Sequence, residues 1–421
     1  MNTQPGACAK RRRSATVVLI CWAMVVFDGY DLVVYGTVVP SLLADPAWEV
    51  TPATLGLVGS LAFLGMFAGA LASGSLADRW GRRRTVLTSF LCFSLFTAAC
   101  ALATGPLSLG VLRFLAGTGL GALIPAVSAL VNEVAGLRRR SLISAAMLSG
   151  VPVGGSVAAV LGAPVIALAG WPGMFWLALA GPLIVFPLAL SLLPESPVPP
   201  RASRAVDKVR ELLGDGRRRA AILFPLTAFV TLFSWYGLMT WLPKMMIDQG
   251  FRLGSSLTFL LVLSLGAAAG AIVVAGFARR SPTGMASVLC GLASAALIGL
   301  AVLPAGTLTY PLLLVVGVGT HGTQCLVVAA VAIYYRDELR ASGLAWMLGL
   351  GRLGAVAAPA VGGVILAAGP GVRASFLLFA ATTAAGMVLL AFSSRLDRTG
   401  DLEIVSTDEG ADVHVRSRTP R

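Results

Sequence analysis

Charge is what this chain of 421 residues has least of. Asp, Glu, Lys and Arg together make up 12% of it, against roughly 25% in ordinary globular chains. With 57% hydrophobic residues and a mean hydropathy of +0.85, that deficit excludes a soluble domain, because most of the length must sit where ionised side chains are expensive. Histidine is nearly absent, at two residues. The six cysteines (Cys8, Cys21, Cys92, Cys100, Cys290, Cys325) show no C-x-x-C spacing and fall mostly in apolar segments. Neither zinc nor a disulfide framework is indicated, and no metal or cofactor is expected. H-E-x-x-H and G-x-S-x-G are missing, and the few interior charges sit on distant segments without a nucleophile–base pair, which argues against a membrane-embedded enzyme. A sensor would be expected to carry a substantial soluble domain, where this chain has a short linker and tail.

The net charge is +13, and its placement says more than its size. Cations cluster at Lys10 to Arg13, Arg79 to Arg84, Arg138 to Arg140, Arg201 to Arg219, Arg279 and Arg280, Arg336 and Arg340, and in the tail from Arg395. If the apolar segments alternate in direction, every cluster falls on one side, and the opposite loops hold only Lys244, Arg252 and Arg373. This positive-inside asymmetry points to a lipid bilayer rather than nucleic acid. It places both termini in the cytoplasm of a multi-pass inner-membrane protein. Arg11 to Arg13 ahead of an apolar run imitates a signal peptide, but Asp28 inside that run and eleven further apolar segments argue for an uncleaved first helix.

Segments long enough to cross a hydrocarbon core of about 30 Å lie near 15–40, 53–77, 84–103, 106–132, 141–168 and 171–193. A second set lies near 220–243, 255–278, 282–303, 308–333, 340–368 and 371–394. The expected fold is an all-α membrane protein of twelve transmembrane helices in two six-helix halves, 15–193 and 220–394. A cytoplasmic N-terminus (1–14), linker (194–219) and tail (395–421) complete it. The halves repeat each other at an offset near 200. Gly117-Thr-Gly119 matches Gly317-Val-Gly319, and Met147-Leu148 with Gly154 matches Met347-Leu348 with Gly354. The charges break the symmetry: Asp28 corresponds to Ser234, Asp31 to Gly237, Arg113 to Leu313, Arg352 to Pro152 and His321 to Gly121.

Counting 1.5 Å per residue from the helix ends places Asp28, Arg113, His321 and Arg352 in one central band. Each ion there costs roughly 2.5–3.5 kcal/mol even on the lenient insertion scale, so the cluster is read as functional. The alternative is an internal structural ion pair, for instance Asp28 with Arg113. Asp28 and Asp31 are three residues apart and share a helix face; carboxylates removed from water favour their neutral form, which suits a proton carrier. Gly29 between them admits a neighbouring helix or a substrate. Arg113 or Arg352 can receive a substrate carboxylate in a bidentate fork. His321 can relay protons or bond a ring substituent, or simply be a satisfied interior histidine. Tyr30, Tyr35, Trp235, Tyr236 and Trp346 are candidates to stack on an aromatic ring, with packing as the competing role.

The sharpest motif is Gly74-Ser-Leu-Ala-Asp78-Arg79-Trp-Gly81-Arg82-Arg83-Arg84. It resembles the signature loop of the major facilitator superfamily, G-x-L-A-D-R-x-G-R-R. Its glycines permit a tight turn, Asp78 caps or pairs across the interface between halves, and the basic residues also anchor at anionic headgroups. The second copy, Gly276-Phe-Ala-Arg279-Arg280, lacks the aspartate. Arg113-Phe-Leu-Ala-Gly117 and Leu193-Pro-Glu195-Ser-Pro197 are further matches to the superfamily. Phe27-Asp28-Gly29-Tyr30-Asp31, Trp241-Leu-Pro243-Lys244, Gly319-Thr-His321-Gly-Thr-Gln324 and Gly349-Leu-Gly351-Arg352-Leu-Gly354 are similar to the aromatic acid:proton symporter family.

That resemblance implies uptake of benzoate, hydroxybenzoates, protocatechuate or gentisate with protons. It also implies that Asp28, Asp31, Asp78, Arg113, Glu133, His321 and Arg352 are required. Proton coupling is assigned to Asp28 and Asp31, and substrate binding to Arg113, His321, Arg352, Tyr30, Trp235 and Tyr236. Conformational gating is assigned to Asp78, Arg79, Gly81, Arg82 and Glu133, in a protein expected to work as a monomer. The rival reading is a superfamily porter for a sugar, a dicarboxylate or a drug.

Overall fold

A backbone amide in hydrocarbon finds no water to bond, so a chain this apolar must satisfy its backbone internally, as helices or a closed barrel. The computed structural model describes residues 5–134, 143, 146–195, 211–214, 217–277, 281–304, 306–335, 337–369 and 371–415, and among these it is all-helical. Twelve α-helices follow in order: α1 (Pro5–Ala44), α2 (Pro52–Trp80), α3 (Arg82–Ala99), α4 (Pro106–Val134), α5 (Gly150–Trp176), α6 (Phe186–Leu192), α7 (Arg218–Asp248), α8 (Leu253–Phe277), α9 (Pro282–Val302), α10 (Thr309–Tyr334), α11 (Asp337–Ala367) and α12 (Gly371–Val415). Among the described residues, eleven helical stretches are long and apolar enough to cross a membrane, one of them a 47-residue run, Ala146–Leu192. That run is interrupted at Gly170, whose φ of 67° breaks α5, and a π turn at Gly181–Val185 leads into α6. At the far end, α12 carries past residue 394 to Val415. The polar stretch expected as a tail therefore begins as a continuation of the last helix.

The repeat in the sequence is a repeat in packing. A Cβ on Gly154 would lie 1.9 Å from the Val26 carbonyl oxygen, and one on Gly354 would lie 2.0 Å from that of Phe229. So α5 meets α1 backbone to backbone as α11 meets α7. Gly117 sits against Ala62 of α2 as Gly317 sits against Leu263 of α8. Without a hydrophobic drive between helices in lipid, such small-residue contacts let the backbones approach closely. Large apolar side chains such as Leu168, Ile272 and Leu71 point outward and are exposed, the surface that lipid covers.

The two halves touch through α2 with α11, α5 with α8 and α1 with α7. Gly56 packs on the Pro359 carbonyl, Gly363 on that of Pro52, and Gly36 on that of Met239. The Ala360 amide donates to Ser60 Oγ at 3.1 Å, and Gly162 lies against Leu257. All of these contacts lie toward the Pro52 end of the bundle. Toward the Gly81 end, Gly74 and Gly349 on α2 and α11 have open space where a side chain would stand.

A valine at Gly154 or Gly354 has no room at the helix crossing. Each substitution is expected to destabilise its half by about 1–3 kcal/mol or more, read as a drop in the thermal midpoint of the detergent-purified protein. A midpoint unchanged by both would mean these crossings are not close contacts.

Candidate functional site

A carboxylate on a helix in hydrocarbon must find its partners on neighbouring helices, and α1 brings two carboxylates to the middle of the bundle. Asp31 is 1% exposed and meets Arg113 of α4, with Arg113 Nη1 at 2.8 Å from Asp31 Oδ1. The Thr97 hydroxyl of α3 donates to the same oxygen at 2.6 Å. The guanidinium lies 5.4 Å from the centre of the Tyr35 ring, a cation–π arrangement, and the Tyr35 hydroxyl donates to the Leu55 carbonyl at 2.5 Å. The internal pair is therefore Asp31 with Arg113; Asp28 is not its member. Thr97 was not visible as a site residue in the sequence, since one threonine on an apolar helix carries no signal until its partner is known.

Asp28 is 2% exposed, and its Oδ1 has no hydrogen-bond partner among the described residues. Its charged neighbours are Asp31 on its own helix and Arg352 on α11, and it also influences Tyr236 on α7. Tyr236 and Asp28 are in turn the groups that interact electrostatically with Arg352. So the Asp31–Arg113 pair is contained within the first half, while Asp28 and Arg352 approach from different halves without a hydrogen bond to close the gap.

Gly29 packs against the Val151 backbone of α5, so a helix, and not open space, occupies its near side. A small cavity lies beside it, lined by Gly29, Pro152, Trp235, Met239, Ser264 and His321, among others. Its volume is about 10 Å³, enough for about one water and far below the roughly 300–1,000 Å³ of a ligand pocket. As it stands it has no room for a six-membered ring. The rings of Trp235 and His321 are 5.3 Å apart, and the ring of Tyr236 meets that of Phe63 across the halves, tilted by 54° with centroids 4.6 Å apart.

The remaining aromatic candidates are engaged elsewhere. Tyr30 donates to the Met174 carbonyl at 2.6 Å and does not line the cavity. Trp346 donates to the Ala221 carbonyl at 2.9 Å. In the signature loop, Gly81 has a φ of 82° and its amide donates to Ala77, ending α2. Gly74 is mid-helix and takes no part in the turn. Asp78 and Arg79 are exposed, and Arg82 follows at the start of α3. Arg83 binds Glu195 Oε1 at 2.6 Å and the Leu190 carbonyl at 2.5 Å, tying the loop to the end of the first half. Glu133 lies in the last turn of α4, but its side chain lies outside the described residues, as do Arg279 and Arg280.

Known proteins similar to this chain share its fold. The model of the Major Facilitator Superfamily matches residues 21–348. The chain is 42% identical to a gentisate transporter of Corynebacterium glutamicum, over 92% of this chain and 89% of that one. It is 32% identical to a benzoate transport protein of Acinetobacter baylyi, over 83% of each. The crystal structure of a D-xylose–proton symporter superposes with a TM-score of 0.75 at 13% identity, over 89% of this chain and 96% of that one, a likeness of fold.

Arg113→Leu, which installs the residue found at the equivalent Leu313, strands Asp31 in the bundle. A loss of about 3–5 kcal/mol is expected. The double variant Asp31→Asn/Arg113→Leu should recover much of it in thermal unfolding. A double variant no more stable than the single would show that the two side chains do not depend on each other.

Proposed function

This chain belongs to the Major Facilitator Superfamily, and on that premise we propose that it is a twelve-helix symporter taking up an aromatic carboxylate with protons across a bacterial inner membrane. Its termini are then cytoplasmic, as the basic clusters require. A 47-residue helical run would be about 70 Å long if straight, more than twice the hydrocarbon core of about 30 Å. Folding back at Gly170 turns it into two passes and brings the total to twelve.

The observation that carries the mechanism is that Asp28 and Arg352 stand on opposite halves as an unclosed charge pair. A carboxylic acid at Asp28 leaves Arg352 uncompensated. A substrate carboxylate then docks on the guanidinium fork, and the site returns to neutrality with both ligands aboard. An interface holding an unpaired ion is costly to occlude, so neither ligand crosses efficiently alone. Asp31, held by Arg113 and Thr97, keeps the first half's charges closed while Asp28 cycles; its own protonation would release Arg113 as a second carboxylate receptor. Trp235, Tyr236 and His321 border the ring. The gentisate and benzoate transporters among the relatives support this substrate class.

Contact between the halves at the Pro52 end corresponds to a site sealed on the outside. The signature loop, with Asp78, Arg79, Gly81, Arg82 and Glu133, gates the opposite side, and Arg83 anchors it to Glu195. One chain contains both halves and the whole site, which supports function as a monomer.

Cells expressing the protein should accumulate radiolabelled gentisate, benzoate or 4-hydroxybenzoate, and a protonophore should abolish accumulation. Asp28→Asn and Arg352→Ala should each lower uptake roughly 30-fold or more at equal membrane abundance. Full protonophore-sensitive uptake by Asp28→Asn would remove Asp28 as the carrier. No uptake of any acid by wild-type protein in the membrane would assign the chain to another class of porter substrate.

A further inference from the structure

One polar side chain near the site is left half-satisfied by everything described above. Gln324 lies three residues after His321 on α10, hence on the same face. Thr231 lies four residues before Trp235 on α7, again on the same face. The hydroxyl of Thr231 is 3.1 Å from the Gln324 carboxamide, just as the rings of Trp235 and His321 meet at 5.3 Å. The two contacts are neighbouring rungs between the same pair of helices, and His321 and Trp235 are both cavity-lining residues.

Thr231 already has an acceptor on its own helix, the Thr227 carbonyl at 2.9 Å. A hydroxyl has a single proton, so it holds one end of the carboxamide only. The other end, Nε2, is buried and has no hydrogen-bond partner among the described residues. Most buried polar atoms have a partner, and one that does not needs an explanation. Hydrocarbon supplies none, whereas a polar ligand arriving beside Trp235 and His321 would.

We propose that Gln324, held by Thr231, reads a hydroxyl on the ring of the transported acid and so favours hydroxylated aromatic acids over benzoate. A phenolic hydroxyl donates one hydrogen bond and accepts others. It therefore satisfies the free end of the carboxamide whichever way round the group sits. A bare ring C–H satisfies neither orientation and leaves the group stranded, and a polar group left unpaired is the strongest basis for rejecting an analogue that lacks the hydroxyl. This inference rests on the aromatic-acid reading of the site.

The test is the ratio of kcat/KM for uptake of 2-, 3- and 4-hydroxybenzoate and gentisate, each relative to benzoate. It is measured in wild type, Gln324→Leu and Thr231→Val, with membrane abundance checked by immunoblot. Gln324→Leu should lower the ratio about tenfold for at least one hydroxylated acid, the worth of one hydrogen bond. Thr231→Val, which frees the carboxamide without removing it, should lower the same ratio by a smaller factor, and it carries the test if the leucine variant does not reach the membrane. Equal loss for benzoate and the hydroxylated acids, or ratios unmoved by either variant, overturns the assignment and leaves Gln324 a packing residue. Wild-type protein that takes up none of the acids overturns instead the aromatic-acid reading on which the assignment depends.

Discussion

A guanidinium and a carboxylate 2.8 Å apart, with neither able to reach water, set the terms for the centre of this protein. In hydrocarbon a charge finds compensation only in another charge or in aligned dipoles. Arg113 therefore fixes Asp31, and through it the facing positions of α1 and α4. Thr97 and the Tyr35 ring also lie against the pair. Tyr35 is itself tied to α2 through Leu55, so four helices of the first half are registered against one ion pair. The second half has no counterpart, since Leu313 stands where Arg113 does and Gly237 where Asp31 does.

Registration by an ion pair leaves the remaining charges free to act between halves. Asp28 and Arg352 sit on α1 and α11, which belong to separate bodies built on the same plan. Each body is held by glycine crossings that bring backbones together and leave little play. The contacts between the bodies mix such crossings with side-chain contacts: Gly36 on Met239, Phe63 on Tyr236, Ser60 on Ala360. They run from the Pro52 end of the bundle to its middle, while Gly74 and Gly349 toward the other end stand in open space, an arrangement suited to one rigid unit rocking against the other. Under the proposed cycle, the charge state of Asp28 and Arg352 decides whether such rocking is affordable.

The signature loop shows how one motif divides its labour. Gly81 serves the turn through its left-handed backbone, which a side chain would strain. Arg83 serves anchorage by gripping Glu195 and the Leu190 carbonyl. The motif had placed its turn glycines at Gly74 and Gly81, but only the second stands at a turn. Gly74 is a mid-helix residue with open space beside it.

Hydropathy, helix period and the distribution of basic residues were enough to determine that this chain crosses a membrane many times as helices. The offset between the halves was enough to pair Gly154 with Gly354 and Gly117 with Gly317. These are properties of one segment at a time, or of two segments compared, and a linear text carries them. Counting rise along each helix put Asp28, Arg113, His321 and Arg352 at similar depth. Which charge meets which was decided only by the tertiary structure. Depth along a helix is legible at 1.5 Å per residue, but the rotation of one helix toward another is set by packing across the bundle. Asp31 was thus placed beside Asp28 as an equal, and the fold gave Arg113 to Asp31 alone. The same limit hid Thr97, gave Tyr30 and Trp346 to backbone carbonyls, and left one end of Gln324 open between α7 and α10.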